Sequence, residues 1–264
     1  MVIDVVNFLI YNFQFFLVAF VRAMGFLTIL PLFGGVNVPN RVRIVIAFFL
    51  SYASFPIITQ LGYNIPSSLG SYIFVLLGEL IIGLMMGFFV YIVFLAFQLA
   101  AQIFSTSFGL GFVEVVDPLS ENAIPTYGTL LLIFATLIFI SVNGPYLSFE
   151  AFIESYKKIW PYNLDFRSVE AIAKFIVSGF NIMFGIAIKV ALPIIAVILA
   201  VDITVGVLAK TAPQMNVLNL SFDVKVALGI ILVIIFAMPI ITLMQDVIKE
   251  IFYKLWGFLK LFKV

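Results

Sequence analysis

The chain lacks two residue types that carry much of protein chemistry, since it contains no cysteine and no histidine. Without thiolates and imidazoles it can form no disulfide bond, no thiol nucleophile, no histidine acid–base pair and no zinc or haem site of the usual ligand types. Charge is scarce as well: 10% of the residues are charged, and the formal net charge is +1. We therefore expect no cofactor and little attraction to nucleic acid.

Apolar residues take the place of the missing charge. They make up 64% of the chain, and the mean hydropathy is +1.24, whereas about a quarter of an ordinary soluble domain is charged. Apolar runs of about 18 residues or more recur, and each is long enough to cross a hydrocarbon core as a helix. Because these runs lack the alternation of a membrane barrel, the sequence predicts an all-α, polytopic membrane protein.

The apolar runs predict helices at about 6–31, 42–61, 69–108, 126–142, 169–209 and 224–262. Runs of about 40 residues are roughly twice as long as a bilayer is thick. Each of them either hides two spans or forms a long, kinked helix that projects from the membrane. The most polar stretch, 148–170, is expected to be an exposed connector between a front part, 1–168, and a two-helix part, 169–264.

The two ends of the chain bear on its topology. The first residues carry Asp4 instead of a basic leader, and the apolar stretch that follows has no evident cleavage site, so we expect a structural helix there. The last stretch is amphipathic and basic, which places the C-terminus on the cytoplasmic side. Its basic residues are Lys249, Lys254, Lys260 and Lys263.

Ionisable residues within apolar runs are the first candidate site. Gly83 and Gly87 form a small-x-x-x-small pair that lets another helix approach, and Glu79 lies on the same face. Tight packing with Glu79 satisfied by a neighbour and a direct role in conduction are both open. Arg22, midway along the first helix, raises the same question, and Glu79 is a candidate partner.

Two further polar patterns follow helical spacing. Gln98, Gln102 and Ser105 form a stripe that either joins helices or lines an aqueous path. Asp202 and Lys210 share a face in a later run. For Asp202 we expect an internal ion pair with a lysine such as Lys189 or Lys210, or a partner on another chain.

The segment 105–122 is too broken for a span, yet parts of it are too apolar for a freely solvated loop. Non-helical backbone of this kind is tolerated where it lies in protein or lines a cavity. A re-entrant, plug-like loop and a surface connector are the two interpretations. The plug candidates are Phe108, Gly109, Leu110, Gly111, Phe112, Val113, Glu114, Asp117 and Pro118.

Four blocks of sequence resemble a known family. They are 22–39 (Arg-Ala-Met-Gly, then Pro-Leu-Phe-Gly and Val-Pro), 78–87, 98–118 (Gln-Leu-Ala-Ala-Gln-Ile, then Gly-Leu-Gly-Phe-Val-Glu-Val-Val-Asp-Pro) and 211–225 (Thr-Ala-Pro-Gln-Met-Asn-Val-Leu-Asn-Leu-Ser-Phe-Asp-Val-Lys). Over nearly its whole length the chain resembles the FliR export-gate proteins of the flagellar type III secretion apparatus, with their injectisome counterparts. The last two blocks are long and unusual, which argues against chance agreement.

The resemblance implies a composite architecture of long, kinked helical hairpins. The part after 169 is similar to the two-helix subunit FliQ, through an Ala-Leu-Pro helix, the connector Gln214, Met215 and Asn216, and a Ser-Phe-x-x-Lys restart. The front part is similar to FliP. The implied partners are FliP-like and FliQ-like subunits, a further export component, exported flagellar proteins and membrane lipid, with no nucleic acid. The implied location is the bacterial inner membrane, in the flagellar basal body, with 105–122 plugging the closed pore.

The sequence bears on three classes of function. The leading expectation is a passive conduit subunit for unfolded flagellar proteins, which agrees with the absence of a Walker-type phosphate loop. The alternative is a secondary transporter, because broken helices and buried acids such as Glu79 and Asp202 mark those too. We expect no enzyme, since the Gly-x-Ser-x-Gly and His-Glu-x-x-His signatures are missing.

Overall fold

The computed structural model of the chain describes residues 2–34, 38–62, 66, 68–108, 126–159, 166–212 and 217–261. The regular structure within these ranges is helical, which confirms the predicted all-α fold class. The helices are α1 (Val2–Ile29), α2 (Asn40–Gln60), α3 (Leu69–Ser107), α4 (Thr126–Ser141), α5 (Gly144–Ser155), α6 (Phe166–Thr211) and α7 (Val217–Leu261).

The long apolar runs are single, continuous helices. α6 has 46 residues and α7 has 45, so each extends over roughly 70 Å, more than twice the thickness of a hydrocarbon core. Prolines lie inside three helices, at Pro56, Pro193 and Pro239, where each removes one backbone hydrogen bond. Of the two interpretations of the long runs, the structure therefore favours long helices over pairs of short spans.

Five helices in the described part of the chain are long and apolar enough to cross a membrane, namely α1, α2, α3, α6 and α7. α4 and α5 together would make a sixth, bent by 67°. The bend lies at Asn143, whose φ of 58° is left-handed, a conformation that asparagine tolerates better than most residues. Pro145 then starts α5 in its first turn, where a missing N–H does no harm.

The expectation of an exposed connector over 148–170 is wrong in its first part, because α5 extends into it. The residues that α5 buries recur at intervals of three and four, so one face packs inside while Glu150 and Glu154 remain partly exposed on another. The polar residues of that outer face hid the amphipathic pattern. The buried residues are Gly144, Ser148, Ala151, Phe152 and Ser155.

Contacts divide the chain into two compact units. Unit 1 comprises Met1–Ile92, Ile140–Gly179 and Ile248–Val264, and unit 2 comprises Val93–Phe139 and Phe180–Val247. These units follow packing, whereas the expected division into 1–168 and 169–264 follows the polar stretch 148–170 together with the resemblance, and that division stays a prediction.

Aromatic contacts hold each unit together internally. In unit 1, Phe16 of α1 meets Phe48 of α2 with ring centroids 5.2 Å apart. Phe89 of α3 stacks on Phe175 of α6 at 4.6 Å. In unit 2, Phe94 and Phe139 meet edge to face at 5.5 Å. Such ring pairs add about 0.5–1.5 kcal/mol beyond the area that they bury.

Candidate functional site

Unit 1 contains a fully buried ion pair between α1 and α3. The Arg22 Nε donates to Glu79 Oε2 at 2.5 Å, and the Arg22 Nη2 donates to Glu79 Oε1 at 2.8 Å. Neither side chain is accessible to solvent. Two parallel hydrogen bonds between a guanidinium and a carboxylate fix both the distance and the orientation of the pair. The pairing of Arg22 with Glu79 suggested by the sequence is therefore present.

The remaining donors of Arg22 reach the end of α5. Its Nη1 donates to Ser155 Oγ at 2.8 Å, and its Nη2 lies 3.4 Å from the carbonyl oxygen of Ile159. The guanidinium carbon lies 4.0 Å from the ring centroid of Tyr156, a cation–π contact. One buried side chain thus ties three helices together, and we call Arg22, Glu79, Ser155 and Tyr156 the arginine cluster.

Glycines bring α1 and α3 close enough for this pair to form. A Cβ placed on Gly83 would overlap the carbonyl oxygen of Arg22 and lie 2.9 Å from the Phe26 nitrogen. One on Gly87 would lie 2.6 Å from the Phe26 carbonyl oxygen, and one on Gly25 of α1 would lie 2.7 Å from that of Leu80. Since backbone atoms cannot move aside like a flexible side chain, only glycine fits at these three positions.

The arginine cluster has the chemistry of a structural tie. Every buried side-chain nitrogen and oxygen in the described residues has a hydrogen-bond partner, so no polar side-chain atom of the cluster is left without one. No group of three acidic residues in the described ranges is arranged to hold a metal ion. Of the two interpretations of Glu79, this geometry favours packing over conduction.

The three residues of the polar stripe on α3 lie in different environments. Gln98 is half-buried and Gln102 is exposed. Ser105 is 1% exposed, and its hydroxyl donates to the Gln102 carbonyl oxygen at 3.2 Å. The choice between helix contact and aqueous lining therefore stays open for the two glutamines, while Ser105 is satisfied by its own helix.

Phe108 is the one plug candidate within the described ranges. It is fully buried, and its amide donates to the Phe104 carbonyl oxygen at 3.1 Å, which continues the last turn of α3. Its ring lies against Gly229 of α7, where an added Cβ would come within 2.8 Å. The other plug candidates, from Gly109 to Pro118, and the connector Gln214, Met215 and Asn216 lie outside the described residues.

Asp202 has a different partner from those expected. Its carboxylate pairs with Lys225 of α7, so the expected ion pair with a lysine of this chain is present. The lysines named as examples, Lys189 and Lys210, are not the partner, and Asp202 is 43% exposed and therefore not buried. The spacing argument compared residues within one helix, whereas the partner comes from the next. Lys210 is exposed in the last turn of α6, where a cation interacts favourably with the helix dipole.

Several residues of these sites were missed from the sequence. Ser155 and Tyr156 were hidden in the presumed connector. Gly25 carried a usable signal, since it is a small residue one turn after Arg22 on the same helix. Gly229 carried none, because its role depends on an aromatic ring from a distant part of the chain.

Comparison with known proteins gives a match over most of the chain. The family described as bacterial export proteins, family 1, matches residues 13–251. The flagellar biosynthetic protein FliR of Bacillus subtilis is 31% identical over 249 residues, which cover 91% of this chain and 93% of the relative. The FliR of Borreliella burgdorferi is 28% identical over 258 residues, 97% and 94% of the two chains. That of Aquifex aeolicus is 27% identical over 246 residues, 92% of each.

The helical fold and the five apolar helices define a polytopic, all-α membrane protein. Within that class, the match over 13–251 identifies the family. The chain belongs to the bacterial export proteins, family 1, the family of the FliR proteins.

Proposed function

We propose that this chain is a subunit of the flagellar type III export gate and helps to form the pore through which unfolded flagellar proteins cross the bacterial inner membrane. The observation that carries the proposal is the length-wide match to relatives named as flagellar biosynthetic proteins, which reaches 97% of this chain. The match runs through both units. The similarity therefore extends over most of the chain and is not limited to one shared module.

The length and exposure of two helices favour a chain that works within an assembly over a chain that works alone as a transporter. α6 and α7 are roughly 70 Å long, and apolar side chains such as Ile203 on α6 and Ile234 on α7 are 63% and 68% exposed along them. A bilayer core of roughly 30 Å cannot cover both helices from end to end. FliP-like and FliQ-like subunits, together with a further export component, are the proposed neighbours that cover the rest.

The arginine cluster fits a gate subunit as part of a rigid frame. It fixes α1, α3 and the end of α5 through charged hydrogen bonds that water cannot reach, and such bonds keep their strength in an apolar interior. A conduit that must hold its shape while cargo passes needs such a frame. The cluster acts here by positioning helices and contacts no cargo.

The alternative, a secondary transporter, depended on buried acids that could couple to a moving ion. Glu79 instead accepts two hydrogen bonds from Arg22, and Asp202 pairs with Lys225. Both acids have partners within this chain. The structure thus offers the transporter hypothesis no specific support.

The proposed function is tested by removing the chain from its host. Deletion of the gene should stop secretion of flagellar filament and hook proteins, and a plasmid copy should restore it. The control is an unrelated secretion substrate of the same cells, whose export should not change. Continued secretion of flagellar proteins without this chain would contradict the proposal.

The plug interpretation remains a proposal based on the sequence of 105–122. If this segment closes the pore, deletion of 109–117 should raise the ion permeability of membranes that contain the assembly, because the apolar stoppers are then gone. Membranes with the intact chain serve as the reference. Unchanged permeability with normal assembly would reject the plug while leaving the export function standing.

A further inference from the structure

Lys189 lies near the middle of α6, within the stretch Ile172–Thr211 that is long and apolar enough to cross a membrane, and it is exposed. The ion pair of Asp202 with Lys225 leaves Lys189 without the counter-charge that the sequence suggested. Among the residues that the structure describes, no acid lies within ion-pair distance of Lys189. This cation therefore needs another source of compensation.

The surface around Lys189 is open and apolar. Ile188 and Leu192 are 52% and 58% exposed, while the opposite side of the helix is buried at Ala187 and Val190. A Cβ added to Gly185, one turn before Lys189, would meet nothing within 4 Å. We call the exposed residues Phe184, Gly185, Ile188, Lys189 and Leu192 the Lys189 face.

Lipid alone cannot cover this helix. The helical stretch Ile172–Thr211 has 40 residues, roughly 60 Å at 1.5 Å per residue, against a hydrocarbon core of roughly 30 Å. If the core is centred on Lys189, an unpaired cation lies in hydrocarbon, which is costly. If the core lies to one side, exposed apolar residues on the other side, such as Val177 or Ile203, face water. In either placement protein must cover part of α6.

We propose that the Lys189 face is the contact surface for an apolar helix of a partner subunit that presents a carboxylate to Lys189. Gly185 supplies the space for close approach of that helix, and a charge-assisted hydrogen bond between ammonium and carboxylate compensates the cation. The inference deepens the proposed function, on which it rests, because the partner is another subunit of the same assembly. The charge also sets the register of the two helices, since only one pairing neutralises Lys189.

Charge variants test the proposal in the assembly purified from membranes. Lys189→Glu should cause loss of most of the complex, because two carboxylates would then face each other. Lys189→Arg should retain it. Lys174→Glu is the control: Lys174 lies on the same helix, is 75% exposed and pairs with Glu170 one turn away, so its reversal should leave complex yield unchanged. Equal yields for Lys189→Glu and Lys174→Glu would overturn the proposal.

A membrane-permeant carbodiimide identifies the partner group directly. The reagent activates a carboxylate, which the Lys189 amine attacks to form an amide, with the activated oxygen leaving as a urea. Mass spectrometry of the digested complex should show Lys189 joined to an aspartate or glutamate of another subunit. A link to an acid of this same chain, or no link to Lys189 while other lysines react, would overturn the proposal.

These experiments distinguish a failure of the proposed function from a failure of the Lys189 contact. If the unchanged chain purifies without other export components, the proposed function itself fails. If the unchanged chain assembles and the Lys189 variants assemble equally well, only the Lys189 contact fails.

Discussion

α3 and α7 have nearly the same hydropathy and opposite surroundings. The most apolar window of 18 residues averages 2.7 in hydropathy in α3 and 2.9 in α7, yet 67% of the α3 window is buried within the chain against 17% of the α7 window. α3 carries the glycines and the acid that pack inside unit 1, whereas α7 leaves large apolar side chains such as Ile234 and Met238 exposed, at 68% and 73%. An apolar helix of this protein can therefore either pack in the core of the chain or expose its apolar side chains at the surface. Mean hydropathy does not distinguish these two cases.

The charges repeat this contrast. Glu79 is inaccessible to solvent and pairs with Arg22. Arg22 also donates a hydrogen bond to Ser155 of α5. Asp202 is 43% exposed, and its partner Lys225 is 18% exposed. Buried pairs depend strongly on both partners, while exposed pairs contribute about 0–1 kcal/mol. The inward region should therefore be sensitive to single substitutions that the outward region tolerates.

The largest effect is expected at the closest approach of α1 and α3. Gly83→Leu places a branched side chain against the Arg22 backbone, which cannot move aside, so no folded chain should be recovered from membranes. Gly70→Leu is the matched control on the same helix, because a Cβ there meets nothing within 4 Å. Size-exclusion profiles in mild detergent provide the measurement, and equal recovery of the two variants would contradict the close contact.

Removal of one partner of the arginine cluster comes next. Arg22→Met leaves the Glu79 carboxylate buried and unpaired, a change that costs about 3–5 kcal/mol in comparable sites. The double variant Arg22→Met with Glu79→Leu should recover most of this loss, since no buried charge remains. Thermal unfolding midpoints of the detergent-solubilised assembly check both. A double variant as unstable as the single one would show that the cluster contributes more than charge balance.

A smaller effect is expected in unit 2. Gly229→Ala adds a methyl group that would lie within 2.8–2.9 Å of the Phe108 ring, and overpacking of this kind costs about 1–3 kcal/mol. Phe108→Leu should relieve the crowding, so the cost of Gly229→Ala should shrink in that background. Gly257→Ala on the same helix, where the methyl has open space, should leave the unfolding midpoint unchanged. Additive effects of the Gly229 and Phe108 substitutions would argue against the contact.

The smallest effect is expected at the exposed pair near the start of α6. The hydrogen bond from Lys174, with its charge, lowers the pKa of Glu170, so the carboxylate stabilises the folded state above its ordinary pKa and loses this effect as the pH falls through the lowered pKa. Because Glu170 is 67% exposed, solvent screens the pair and makes this contribution small, so Glu170→Gln should leave the unfolding midpoint of the assembly nearly unchanged at pH 7. A clear drop would mean that a neighbouring subunit covers this site.

Much of the fold could be predicted from the sequence, because apolar runs longer than a bilayer leave few alternatives. The predicted run at 69–108 agrees with α3 to within a residue, and α7 begins several residues before the predicted 224. α5 was missed because it is short and its outer face carries Glu150 and Glu154. A search for long apolar runs does not detect a helix of 12 residues with one polar side.

The site was predictable only where its signal lay within one helix. Gly83, Gly87 and Glu79 share a face by spacing, and Arg22 stood out as a charge in an apolar run. The partners of Arg22 on α5, and that of Asp202 on α7, depend on how distant segments pack, which no local pattern contains. For that reason the spacing within α6 pointed to Lys189 or Lys210 as the partner of Asp202, whereas the structure pairs Asp202 with Lys225 and leaves Lys189 without an acid among the described residues.

Native mass spectrometry of the tagged chain, co-expressed with its genomic neighbours and purified in mild detergent, tests the central claim most directly. The account predicts a single large complex in which this chain is joined by several copies of two smaller membrane subunits. A stable species with the mass of this chain alone, 29.4 kDa, obtained while those neighbours are present, would contradict it.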